Sequence, residues 1–127
     1  MNPASRGVFP LVLAPVNLIA YAAELRWLVE IGGIAVAGVP VATDDHSKIM
    51  IMDARVAAAA DPDWTTVRHG ADGNTYPVNA TAMALISDGV QAHASATFQT
   101  FARVKAAIEA GTISTAAEVD AAFTAAD

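Results

Sequence analysis

The sequence predicts an α+β fold: two β-hairpins, a medium helix, one long alanine-rich helix and a short C-terminal helix. Three observations carry that expectation. Apolar residues alternate around the turn-forming pairs Gly32-Gly33 and Asp72-Gly73, helical spacing runs from about residue 44 to 60, and a stripe at steps of three and four residues extends from Met83 to Ile108. At 127 residues the chain has room for one modest core. Hydrophobic residues make up 54% of it but aromatics only 6%. Roughly a quarter is alanine, which favours helices yet buries little area per residue. Trp27, Trp64, Phe98 and Phe101 are therefore expected to carry much of the burial.

From the N-terminus, Val8 to Ala23 is a nearly continuous apolar run. Together with Arg6 and the small-residue pattern Ala20-Tyr21-Ala22 it imitates a signal peptide and its cleavage site. Pro10 and Pro15 oppose that reading, because they interrupt the hydrophobic helix a signal needs, and the run is shorter than the roughly 20 residues of a membrane span. We read residues 1–22 as an apolar arm ordered by a partner, with Val8, Phe9, Leu11, Val12, Leu13, Val16, Leu18, Ile19 and Tyr21 as contact residues. Residues 23–127 then form a single α+β domain that folds without the arm.

Leu25, Trp27, Val29 and Ile31 share one face at a period of two, the pattern of a half-buried strand. Gly32-Gly33 supplies a hairpin turn, so Ile34 to Val41 is expected to return antiparallel, closing a hairpin over residues 23–42. Thr43-Asp44-Asp45 offers capping oxygens and negative charge at a helix start. Ile49, Met52, Val56 and Ala60 follow at helical spacing, and Pro62 stops the helix near Asp61. A second hairpin joins Trp64–Val67 to Thr75–Val78 through Ala71-Asp72-Gly73-Asn74, with Trp64 expected to be buried against a helix.

From Asn79 to Ala110 the chain reads as one helix whose stripe is Met83, Ile86, Val90, Ala94, Phe98, Phe101, Val104 and Ile108. Gly111 is a C-cap, and Ser114-Thr115 with Glu118 forms a capping box that opens a last helix within residues 111–127. The long stripe exceeds what one hairpin and one short helix can cover, so self-association is expected through Phe98 and Phe101, with a trimer first and a dimer second.

The chemistry-bearing residues form no constellation. The net charge is −6 and the basic residues are scattered, which disfavours nucleic-acid binding. Without cysteine there is no disulfide, thiolate nucleophile or Cys-based zinc site. His46, His69 and His93 lie on separate elements and read as surface or core-edge histidines. Asp44-Asp45-His46 reads as helix capping, and Asp61, Asp63 and Asp72-Gly73-Asn74 as turn chemistry rather than a calcium loop. No serine sits in a nucleophile elbow and no glycines cradle a phosphate. Asn79-Ala80-Thr81 reads as an N-cap rather than a glycosylation acceptor, and Met50, Met52 and Met83 as core filler. We expect no enzyme activity, no cofactor, no metal, and no nucleic-acid or membrane partner.

Thr43-Asp44-Asp45-His46-Ser47-Lys48 opening a helix, Trp64 after Asp61-Pro62-Asp63, the Asp72-Gly73 turn and Val90-Gln91-Ala92-His93 on the long helix together carry a resemblance. Residues 43–110 resemble a small domain of unassigned function in tail-fibre and tail-fibre-assembly proteins of tailed bacteriophages and prophages. The resemblance implies a structural role in a phage tail, as a fibre-base, adaptor or baseplate-associated subunit packing against other tail proteins. It places the protein in the virion tail after synthesis in the host cytoplasm. The alternative it leaves open is a fibre-assembly chaperone absent from the mature virion. It transfers no catalytic residue.

Overall fold

The computed structural model describes residues 13–125. Its elements are α1 (Pro15–Glu30), β1 (Ile34–Val36), β2 (Val39–Val41), α2 (Asp45–Ala60), β3 (Thr65–His69), β4 (Thr75–Asn79), α3 (Ala80–Glu109) and α4 (Ala116–Ala125), an α+β chain with two antiparallel hairpins. They divide into two compact units, the described part of one lying within Met1–Val29 and Ala96–Asp127, the other being Glu30–Ser95.

The helical unit overturns the expected first strand. Pro15 opens α1, where a missing N–H and a fixed φ suit the first helical position, and the helix runs on through Glu30 in place of a strand at Leu25–Ile31. Leu18, Ala22, Leu25 and Val29 recur at spacings of four, three and four, and this helical stripe prevails over the shorter period-two run. Leu18 and Ala22 are buried with Val104 and Ile108 of α3 and Val119 and Phe123 of α4, so residues that the sequence places in a detachable arm belong to a three-helix core. The α3–α4 connection matches expectation. Thr112 and Ile113 return their N–H groups to the Ala107 carbonyl, while Thr115 Oγ1 accepts from the Glu118 N–H and the Glu118 carboxylate accepts from the Ser114 N–H.

In the mixed unit, Gly32-Gly33 ends α1 rather than turning a hairpin. The segment expected to be one return strand supplies both strands, turning at Ala37 (φ 52°) and Gly38 (φ 78°) and pairing Ile34 with Val41 and Val36 with Val39. Two consecutive positive φ values make the two-residue turn that matches strand twist. Thr43 fastens this hairpin to the end of α1, since its buried hydroxyl donates to the Glu30 carbonyl and accepts from the Gly33 N–H. Asp44 caps α2 by accepting from the Ser47 N–H, and the hydroxyl and backbone hydrogen bonds of Ser47 hold its carboxyl below the usual range.

The second hairpin pairs Thr65 with Asn79 through His69 with Thr75, as expected, and Asn79 Oδ1 caps α3 by accepting from the Ala82 N–H. Val39, Val41, Ile51, Ala58, Val78, Met83, Ile86 and Val90 form the core, with Trp64 only partly buried against it. Gly89 lets β1 lie close to α3, because a Cβ there would stand 2.8 Å from Val36 Cγ2.

Leu18→Ala should cost about 2–5 kcal/mol, read from urea unfolding of the full chain, whereas a detachable arm would tolerate it. A second outcome concerns pH. Backbone hydrogen bonding from Ser114, then the Thr115 hydroxyl, holds the Glu118 carboxyl below its ordinary value. The capping contribution is therefore present above the unfolded glutamate pKa of about 4.3 and is lost as pH falls through the lower folded value. Carbon-detected NMR titration should place Glu118 below the ordinary glutamate value.

Candidate functional site

The expected contact residues separate into three groups. Val8, Phe9, Leu11 and Val12 lie outside the described residues. Leu18 is buried in the helical core, and Leu13, Ile19 and Phe101 are partly buried against it. Val16 and Phe98 are exposed, Phe98 at 56%, and Tyr21 is exposed with its hydroxyl donating to Asp120 Oδ1 at 2.5 Å. That hydrogen bond holds the Tyr21 phenol above its ordinary pKa.

Phe98 and Phe101 part company for a geometric reason. An α-helix turns about 100° per residue, so each four-residue step carries the stripe roughly 40° sideways. The steps Ile86, Val90, Ala94, Phe98 are all fours, and they displace Phe98 by about 120°. Thr97 and Thr100 occupy the buried face instead, at 4% and 3% exposure. Phe98 stands outside with the Arg26 guanidinium 3.9 Å over its ring centroid, while Arg26 also donates to Thr97 Oγ1.

The largest apolar departure from the sequence reading lies on α2. Ile49, Met52 and Val56 were at the right spacing for a helix face, but that face is outward, with exposures of 57%, 66% and 72%. Ile51 and Ala58 are buried instead, with Ala54 against them, and Arg55 ties the helix to α3 by donating to the Ala84 carbonyl and Asp88 Oδ1, both at 3.0 Å. Met50 is exposed as well, so of the three methionines read as filler only Met83 is in the core. At the start of α2, Lys48 pairs with Glu30, whose hydrogen bond raises the lysine pKa.

Beside this helix, α2 and the second hairpin enclose a cavity of about 320 Å³ lined by residues that include His46, Trp64, Arg68 and His69. Sequence reasoning did not single out Arg68. Its position in a strand of otherwise exposed residues offered no signal. Among the described residues no three His, Asp or Glu side chains converge to hold a metal, and no helix is long and apolar enough to cross a membrane.

A family model described as a domain of unknown function, DUF4376, matches residues 14–125, and the chain belongs to that family. No curated protein and no solved structure matches it.

Phe98→Ser should change stability by less than about 1 kcal/mol, and Phe101→Ser should cost about 2 kcal/mol or more. Paired thermal melts of the two variants check the assignment of one ring to the surface and the other to the core.

Proposed function

We propose that this chain is a non-enzymatic structural subunit of a bacteriophage tail, a fibre-base, adaptor or baseplate-associated part that works by packing against other tail proteins. The observation that carries the reading is the outward stripe Ile49, Met52 and Val56 on α2. Three large apolar side chains in register along two turns are a recurring mode of helix-face contact, and water gains when another chain covers them. The resemblance of residues 43–110 to tail-fibre and tail-fibre-assembly domains supplies the setting. Its first motif, Thr43-Asp44-Asp45-His46-Ser47-Lys48, caps and opens the same helix that presents the stripe.

On this reading the subunit self-associates, as a trimer first and a dimer second, with the contact on α2 rather than on the Phe98 and Phe101 face of α3. It is made in the host cytoplasm and resides in the virion tail. The assembly-chaperone reading differs in one observable, since a chaperone leaves the finished particle.

Mass spectrometry of purified virions should find the chain at a fixed ratio to known tail proteins, and its absence would favour the chaperone. Ile49→Ser combined with Val56→Ser should leave the melting temperature within a few degrees, yet abolish self-association in sedimentation and incorporation into particles.

A further inference from the structure

We infer that the cavity between α2 and the β3–β4 hairpin is a binding site for a carboxylate group, held by Arg68 with His46 and backed by Trp64. The inference stands on the mixed unit alone and does not depend on the tail-subunit reading.

Arg68 is the starting point. Its Nε is buried and has no hydrogen-bond partner among the described residues. The other described arginines are all engaged: Arg26 with Thr97 and the Phe98 ring, Arg55 with Ala84 and Asp88, and Arg103 with Thr100. A buried guanidinium N–H without an acceptor is costly, and partial burial pushes the Arg68 pKa down. An acceptor arriving from outside removes that cost, and a carboxylate matches the planar fork in two parallel hydrogen bonds.

The surroundings favour the same ligand. Asp and Glu outnumber Lys and Arg by 13 to 7 in the chain, yet no acidic side chain lines this cavity. His46, in the first turn of α2, and Thr66, on the same face of β3 as Arg68, are lining groups that can donate a hydrogen bond. Trp64, Met50 and Met83 give an apolar wall for the stem that carries the carboxylate. A phosphate is less well served. The Ser47 N–H at the start of α2, which such an anion would use, is occupied by Asp44, and a dianion there would face that carboxylate. The carboxylate can come from an acidic residue of a partner chain or from a free small acid.

The isotopically labelled full chain, titrated with glutarate and separately with a capped Ala-Ala-Glu-Ala-Ala peptide, distinguishes the sources through the His46 and His69 ring signals and the Trp64 indole. Saturable shifts with the peptide assign the site to a protein partner, and saturation by glutarate alone assigns it to a small acid. Arg68→Met should weaken binding by at least about tenfold without lowering the melting temperature, because it removes a buried N–H that has no acceptor. Arg68→Lys, which keeps the charge but loses the fork, should fall between the two. Absence of saturation with both carboxylates, an equal response to neutral glutaramide, or tighter saturation by inorganic phosphate would overturn the assignment.

Discussion

Helix α3 must bury one face in each of the two units, and each core is arranged around that constraint. At about 100° per residue, Met83, Ile86 and Val90 of the first half fall within a sector of roughly 60°, and Thr97, Thr100, Val104 and Ile108 of the second within roughly 80°, and all are buried. Its first half serves the core of the mixed unit and its second half the core of the helical unit. Thr97 and Thr100 stand where the stripe would otherwise continue with apolar residues, and Thr97 accepts a hydrogen bond from Arg26 of α1 while Thr100 accepts one from Arg103. Small polar residues keep the face in phase there, at the expense of apolar area.

Few large side chains are buried, so polar bonds at the element ends carry an unusual share of the order. Thr43 satisfies a donor at Gly33 and an acceptor at Glu30, groups that the end of α1 would otherwise leave open, and Lys48 pairs with the side chain of the same Glu30. The Asp44, Asn79 and Thr115–Glu118 caps do the same at the starts of α2, α3 and α4. Two features run the other way: the outward apolar stripe on α2 and the unpartnered Nε of Arg68 both cost stability in the isolated chain. Both lie in the mixed unit, and on the readings proposed above a second molecule would cover the one and pair with the other.

Much of the architecture was legible in the sequence because its signals are local. The medium helix after Thr43-Asp44-Asp45, the hairpin around Asp72-Gly73, the long helix from Asn79 and the capping box at Thr115 all follow from capping oxygens, turn residues and periodicity acting over a few residues. The segment from residue 15 to 41 failed because it satisfies two local patterns at once. Leu25, Trp27, Val29 and Ile31 alternate, while Leu18, Ala22, Leu25 and Val29 repeat as a helix, and only burial against Val104, Ile108 and Phe123 selects the second. Helix formation through Glu30 then shifts the hairpin turn to Ala37-Gly38.

Direction and pairing were the parts that local patterns could not hold. Periodicity groups Ile49, Met52 and Val56 on one face of α2 but is symmetric with respect to inside and outside, so the choice rests on which face meets α3, where Ile51 and Ala58 fit and Arg55 reaches the Ala84 carbonyl. Phe98 and Phe101 differ by three residues and lie on opposite sides of a burial boundary set by accumulated helical phase. Arg68 lies on β3 and His46 at the start of α2, twenty-two residues earlier, and no sequence spacing records that both line the cavity. The sequence alone determined which segments are helices and hairpins from residue 43 onward, since capping, turn and period are properties of neighbouring residues. Which faces are buried, and which side chains meet in the cavity, was decided only by tertiary packing, because those relations depend on residues far apart in the chain competing for the same few buried positions.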